Sequence, residues 1–268
     1  MFDMSSPKSN PNSNSNRQCV LVTAGASGIG RAIAQAFAAG GAKVHVCALD
    51  EAALTGLHSA IPGVTTSLSD IGKRVDVERM VAEAASALGG LDVLVNNAGI
   101  SGPTASVENM DPDAWEAVMS VNLTGTFNVT RHAIPHLKRS GQGVILVMSS
   151  LAGWFGYPNR SPYATSKWGL IGFTKTLSRE LGDFGIRVNA ILPGAVDGPR
   201  IESVFEGRAA ANGRSVAQER AAALANQSNK RFVAPEDIAA LVVFLASNAG
   251  RSISGQILPI DGDSQSAS

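Results

Sequence analysis

The chain has 268 residues, with 22 Lys and Arg against 22 Asp and Glu, and only 16% of its residues are charged. A formal charge of zero removes the electrostatic footprint of a nucleic-acid binder or a polybasic membrane-surface protein. A charged share well below the roughly 25% of ordinary soluble domains points to surface covered by other subunits, so a homo-oligomer is expected.

Residues 1–16, MFDMSSPKSNPNSNSN, hold almost nothing to bury and read as a disordered tail. No apolar run reaches the ~18 residues of a membrane span, and the start lacks the charged-then-apolar order of a signal peptide. A cytoplasmic protein without membrane contact is therefore expected. Cys19 and Cys47 fall inside predicted strands and are too few for a disulfide framework, so both read as free thiols.

From residue 17 to 262 short apolar runs alternate with helix-patterned segments, as in a parallel sheet with crossover helices. The first predicted strand, Cys19 to Thr23, runs through Thr23-Ala24-Gly25-Ala26-Ser27-Gly28-Ile29-Gly30 into a helix over Ile29 to Ala39. Strand, turn and helix in this order are the setting of a phosphate-binding turn. Gly28 lets the backbone approach a pyrophosphate, Gly30 allows close helix-to-strand packing, and the helix N-terminus offers unpaired N–H groups. A tight turn without a ligand is the plain alternative.

Lys43 to Ala48 is the second strand, followed by a helix over Glu51 to Leu57, a strand over Thr65 to Ser69 and a helix over Val75 to Leu88. The fourth strand, Asp92 to Asn96, ends in Asn96-Asn97-Ala98-Gly99, at the carboxyl edge where open parallel sheets bind ligands. Paired asparagines can also simply satisfy backbone groups. Asp111 caps a long helix over Pro112 to Lys138, with proline at its first position. The fifth strand, Val144 to Ser149, leads to a helix over Tyr163 to Leu181, and Arg187 to Leu192 is the sixth. Gly198 to Lys230 holds helix formers but no strand and reads as a mobile lid over 198–230. A helix over Pro235 to Ala246, a strand over Gln256 to Pro259 and a C-terminal tail at 263–268 complete a single-domain, seven-stranded α/β protein.

The most informative constellation is Ser149-Ser150 with Tyr163 and Lys167. Of the two tyrosines only Tyr163 has a lysine four residues later, which puts both side chains on one helix face. An ammonium near a phenol lowers a pKa that is normally about 10, so the phenol can exchange protons near neutral pH. A solvated helix face is the bland alternative.

Together these residues resemble the short-chain dehydrogenase/reductase family over roughly Gln18 to Gly262. The motifs occur in family order: the glycine turn, Asp70-Ile71, Asn96-Asn97-Ala98-Gly99, Asn122, Ser150, Tyr163 with Lys167, Pro193-Gly194, Pro235-Glu236-Asp237, and Ser254-Gly255-Gln256 to Asp261-Gly262. The resemblance implies a Rossmann-type doubly wound sheet and hydride transfer between NAD(P)(H) and a ketone or secondary alcohol. It implies Tyr163 as general acid or base, and Lys167 as its electrostatic partner and ribose ligand. Ser150 then hydrogen-bonds the substrate oxygen, Ser149 is a structural neighbour, and Asn122 holds a water joining the lysine to solvent. Cofactor contacts fall on Thr23, Gly25, Ser27, Gly28, Ile29, Gly30, Ala48, Asp50, Asp70, Ile71, Asn97, Ala98, Gly99, Tyr163, Lys167, Pro193, Gly194 and Val196, with Asp70 at the adenine. A homotetramer pairing the helices over Pro112 to Lys138 and Tyr163 to Leu181 is also implied.

Three departures stand out. Ala24 replaces the usual glycine, though it is small enough for the turn to survive. Gly198 replaces a carboxamide-holding threonine, leaving backbone groups near Val196 to do that work. Ala48 occupies the ribose-reading position, whereas counting about 20 residues from Gly30 reaches Asp50. Without a cation at Ser27 or Leu49, weak discrimination with a slight lean to NAD is expected.

Leu151, Trp154, Phe155 and Tyr157 follow Ser150 in a Gly- and Pro-punctuated loop and read as the wall of a substrate site, with Trp154, Tyr157, Ser150 and Tyr163 contacting a bulky or ring-bearing ketone or alcohol. Arg200, Arg208, Arg214 and Arg220 could meet an acidic substrate, but Glu202, Glu206 and Glu219 lie among them and solvated helix faces account for both signs. The four histidines show no metal-ligand spacing with Cys or Asp, and His132 and His136, though four apart, share a long helix expected to pack against another subunit, so no metal is expected. Two other classes fit the fold: an epimerase or dehydratase, for which little chain remains, and a catalytically silent nucleotide-binding scaffold, which has no need of a poised phenol.

Overall fold

The computed structural model describes residues 17–267, and the tail expected at 1–16 lies outside the described residues. Seven strands run in chain order as β1 (Cys19–Thr23), β2 (Lys43–Ala48), β3 (Thr65–Leu68), β4 (Val93–Asn96), β5 (Val144–Met148), β6 (Arg187–Pro193) and β7 (Ile257–Ile260). They pair in the order β3-β2-β1-β4-β5-β6-β7, every pair parallel. The helices are α1 (Gly28–Ala39), α2 (Glu51–Ala60), α3 (Arg74–Leu88), α4 (Pro112–Met119), α5 (Thr126–Ser140), α6 (Ser161–Glu180), α7 (Pro199–Asn212), α8 (Val216–Ala225) and α9 (Pro235–Ala246). This is the doubly wound α/β sheet expected from the alternation, with strand boundaries shifted by at most one residue at either end.

Both faces of the sheet are covered, which explains why its strands are almost continuously apolar. All five residues of β5 are buried. On one face Val22 and Val46 pack with Ile33 and Phe37 of α1 and Ile238, Val242 and Leu245 of α9. On the other, Leu21, Leu94 and Ile145 meet Met80 of α3, Val129 and Leu137 of α5 and Leu170 of α6. Inside β2 the buried His45 is held between Thr65 Oγ1 at 2.8 Å and Ser67 Oγ at 2.9 Å, and Ser67 in turn donates to Glu83. Burial pushes the His45 imidazole down to about 4, against the opposing pull of Glu83.

Three expectations change in detail. The long helix is continuous, but α4 and α5 are joined by a π-helical turn, Ser120–Gly125. Such turns insert a residue into the helical ladder and re-aim the side chains around them. The segment over 198–230 holds two helices, α7 and α8, the second opened by a reciprocal capping box between Ser215 and Gln218. The C-terminal residues are no loose tail, because Ser264 and Ala267 are buried, Ser264 bridges Gln227, and Gln265 N donates to Asn226 O at 3.1 Å.

Candidate active site

The strand order reverses between β1 and β4, and the loops leaving both strands are stitched there. Thr23 Oγ1 accepts from the backbone N–H groups of Asn97 at 2.9 Å and Ala98 at 3.0 Å. Asn97 Nδ2 returns bonds to the carbonyls of Thr23 at 3.0 Å and Ala24 at 3.2 Å. A Cβ on Gly30 would lie 2.4 Å from Ala24 O, so α1 approaches the turn as only glycine permits. Gly28 has φ of 50° with nothing within 4 Å of where a Cβ would stand, leaving open space over the N-terminus of α1. That combination of free backbone N–H groups and an empty cradle fits a pyrophosphate. Ala24 also adopts φ of 50°, the conformation its glycine counterpart would take without strain.

A cavity of about 560 Å³ extends from this turn across the carboxyl ends of β4, β5 and β6 to α7, α8 and residues 264–267. Ser27, Gly28, Ile29, Gly30, Asn97, Gly99, Ser150, Tyr157, Tyr163, Lys167, Pro193, Gly194 and Val196 all line it. Thr23 and Gly25 support it from behind, Gly25 packing on Val46. Ala48, Asp50, Asp70, Ile71 and Ala98 stand outside its lining. Asp50 caps α2 by accepting from Ala52 N and Ala53 N, and Asp70 accepts from Gly72 N at 2.9 Å.

At the centre, the Lys167 ammonium is 3% exposed and donates to Met148 O at 2.8 Å. It lies 5.6 Å from the centroid of the Tyr163 ring. Burial pushes Lys167 down to about 7, and the Arg200 guanidinium adds to the shift. Ser150 Oγ accepts from Ala152 N at 3.2 Å, which leaves its proton available to a substrate oxygen. Ser149 Oγ instead donates to Lys167 O at 2.8 Å and holds α6 against β5, the structural part expected of it.

Asn122 has protein partners that the sequence did not indicate, and Trp154 stands elsewhere than expected. The Asn122 side chain is committed to the protein: Oδ1 accepts from Ile100 N at 2.7 Å, and Nδ2 donates to Ile100 O at 2.9 Å and Ser166 Oγ at 3.0 Å. It props the loop at Gly99, where a Cβ would be 3.1 Å from Asn122 Oδ1 and 3.4 Å from Lys167 Nζ. Trp154 is 46% exposed and outside the cavity lining, so the aromatic wall reduces to Leu151 and Tyr157, with Phe155 packed behind them.

The sequence reading missed Arg160, Ile201, Val204, Phe205, Ser264, Ser266 and Ala267, all of which line the cavity. A signal existed for α7, since Ile201, Val204, Phe205 and Arg208 recur at the three- and four-residue spacing of one helix face. For Arg160 there was none, because the groups that hold it, Gly102 and Thr104, are 58 and 56 residues away.

A family model described as enoyl-(acyl carrier protein) reductase matches residues 23–262. The chain is 38% identical over 252 residues to a D-beta-hydroxybutyrate dehydrogenase of Cupriavidus necator, covering 92% of this chain and 97% of that one. The fold superposes on NAD+-bound xylitol dehydrogenase with a TM-score of 0.89 at 27% identity, covering 91% of this chain and 98% of the other. It superposes on an actinorhodin polyketide ketoreductase solved with NADPH with a TM-score of 0.87 at 32% identity, covering 92% and 96%. The cradle at Gly28 and the lysine beside the phenol thus belong to a nicotinamide-dependent oxidoreductase, and the chain is a member of the short-chain dehydrogenase/reductase family.

Proposed function

We propose that the enzyme interconverts a bulky or ring-bearing ketone and its secondary alcohol, with Tyr163 giving a proton to the carbonyl oxygen in reduction and taking it back in oxidation. The observation that carries this reading is the convergence of the Ser150 hydroxyl, the Tyr163 phenol and the Lys167 ammonium on one cavity. A bound nicotinamide supplies or accepts the hydride. Ser150 donates to the same oxygen and steadies the alkoxide as charge develops. Lys167 balances the phenolate left behind and reaches the ribose hydroxyls, while Asn122 acts as a positioning residue through Ile100 and Gly99. The walls formed by Leu151, Val204 and Phe205 leave room for a large apolar body.

For the cofactor, the pyrophosphate is assigned to the turn from Thr23 to Gly30, the adenine to Asp70 and Ile71, and the nicotinamide end to Asn97, Ala98, Gly99, Pro193, Gly194 and Val196. Bridging to Val233 occupies Ala195 O and Asp197 N, so it leaves the N–H and C=O of Val196 for a carboxamide. The lean to NAD rests on Asp50, whose carboxylate two residues past β2 disfavours a phosphate dianion, and on the absence of a cation at Ser27, Ala48 or Leu49. Helices α7 and α8 serve as a lid that slows proteolysis when cofactor saturates the site. A homotetramer is part of the reading, because Phe127 of α5 and Trp168 of α6 are 45% and 51% exposed in one chain. So is a cytoplasmic location, which suits two unpaired thiols.

The test is absorbance at 340 nm with NADH and NADPH over a panel of ketones, including linear and cyclic oxo acids and their methyl esters. Consumption of reduced cofactor that Tyr163→Phe abolishes is expected. Failure of every carbonyl compound to consume either cofactor sinks the reading.

A further inference from the structure

Arg160, Arg200 and Arg208 line the cavity and Arg214 and Arg220 stand outside its lining, with Arg200 near enough to Lys167 to disfavour its charge. Arg214 Nε lies 3.4 Å from the buried Glu219, and Arg220 pairs with Glu202 and, at 3.9 Å, with Asp197. Arg160 and Arg208 line the same cavity and have only neutral partners among the described residues. Arg208 donates to the Tyr157 hydroxyl and, at 3.5 Å, to Ala267 O. Arg160 Nη1 donates to Gly102 O at 2.9 Å and Thr104 Oγ1 at 3.1 Å. The Arg160 side chain is buried, the residue being 5% exposed, and its Nε has no hydrogen-bond partner. Glu206 is exposed and outside the lining, and the buried Glu219, which lines a smaller neighbouring cavity with both arginines, is paired with Arg214.

Burying a guanidinium among neutral groups costs free energy that an incoming anion recovers. Position adds to the imbalance. Arg160 is the N-cap of α6, whose first turn carries no acid, so a cation stands where the helix dipole is already positive. The two guanidinium carbons lie 5.7 Å and 5.2 Å from the centroid of the Tyr157 ring, and that ring is 6.4 Å from the ring of Tyr163.

We propose that Arg208 and Arg160 form a carboxylate subsite, so that the natural substrate is an oxo or hydroxy acid whose carboxylate sits one aromatic ring beyond the Tyr163 phenol. The proposal rests on the ketone-alcohol reading above and names its substrate class. Arg208 exchanges its bond to Tyr157 for a two-pronged pair with the carboxylate, a geometry that a guanidinium provides and an ammonium does not. Arg160 supplies fixed positive charge beneath it. Ile201, Val204 and Phe205 take the hydrocarbon between the two ends, so the carbonyl and carboxylate must be separated by a ring or several bonds.

The experiment compares kcat/KM for linear and cyclic oxo acids, 4-oxocyclohexanecarboxylate among them, with their methyl esters. It is paired with isothermal titration of the same acids into the cofactor-saturated protein. At least one acid is expected to exceed its ester by tenfold or more. Arg208→Gln is expected to lower that acid-to-ester ratio at least tenfold and to weaken acid binding at least tenfold, with Arg208→Lys recovering only part of the loss. Because Arg160 is buried, the Arg208 variants decide the matter, and thermal melting checks that they fold. Esters turned over as well as every acid, or a ratio that Arg208→Gln leaves unchanged, overturn the subsite while the ketone-alcohol reading stands. If no carbonyl compound reacts, that reading fails instead, and acid binding that depends on Arg208 still decides for or against the subsite.

Discussion

The Nζ of Lys167 lies 5.6 Å from the centroid of the Tyr163 ring while donating to Met148 O at 2.8 Å. Its buried ammonium is pushed down to about 7 in the free enzyme, against about 10.5 in an unfolded chain. The folded state therefore binds fewer protons than the unfolded state between those values, and stability rises with pH across that window. The contribution of Lys167 is complete above about pH 10.5 and is lost as the pH falls towards 7. Urea midpoints at pH 7 and 9.5 should rise more steeply for the native protein than for Lys167→Met. Parallel slopes would show that the lysine does not titrate in this range.

Tyr163→Phe keeps the ring and its contacts with Tyr157 but removes the proton donor. Turnover should fall by a factor on the order of 10² to 10⁴ while cofactor affinity stays within a few-fold. Lys167→Met should lower both. Fluorescence titration of the reduced cofactor alongside steady-state rates separates the two outcomes.

Ala24 holds a left-handed φ of 50° that costs an L-residue roughly 1–2 kcal/mol, whereas glycine carries an entropic penalty of roughly 0.5–1 kcal/mol. Ala24→Gly should therefore stabilise the protein by about 0.5–1 kcal/mol in equilibrium denaturation. Gly30→Ala should do the opposite, because its Cβ would stand 2.4 Å from Ala24 O. A neutral Gly30→Ala would mean that the turn is looser than described.

His45 is neutral in the folded state, with its imidazole at about 4 rather than 6.5. Its contribution to stability is whole above about pH 6.5 and is lost as the pH falls through 4, a total of roughly 3 kcal/mol. His45→Gln, which cannot titrate, should flatten the decline measured by denaturant midpoints between pH 7 and 4. An unchanged decline would assign it to other groups.

Ala48→Asp should add a charge-assisted hydrogen bond to the ribose and sharpen the preference for NADH over NADPH by on the order of 1–3 kcal/mol. The ratio of kcat/KM values for the two cofactors measures it. A strong NADPH preference in the parent would reveal a phosphate-binding cation elsewhere.

What could be read in advance follows from the range of the forces involved. β5 and α9 were legible because burial on both faces, or a proline and acids at a helix start, writes a local pattern. The turn at Gly28 was legible because backbone geometry there admits few residues. The π-helical turn at Ser120–Gly125 was not, since one extra residue in a helical ladder leaves no periodic signal of its own. Trp154 misled because an aromatic next to Ser150 invites a wall, whereas the short turn Leu151–Gly153 buries Leu151 and leaves Trp154 outside. The terminal Ser264 and Ala267 were invisible because their partners, Gln227 and Arg208, come from the inserted segment between β6 and α9.

The docking of residues 264–267 onto the inserted segment divides the cavity into two separately built halves. The phenol and the lysine stand on α6, which packs on the sheet, and the glycine turn leads from β1 straight into α1. The opposite wall comes from α7, α8 and residues 264–267, which hold one another and belong to no strand of the sheet. Such a wall can be replaced as a cassette, provided that the helices and the chain end are exchanged together. A graft of α7 and α8 alone would leave Ser264 and Ala267 facing a foreign surface, and the selectivity of the donor would not travel with it.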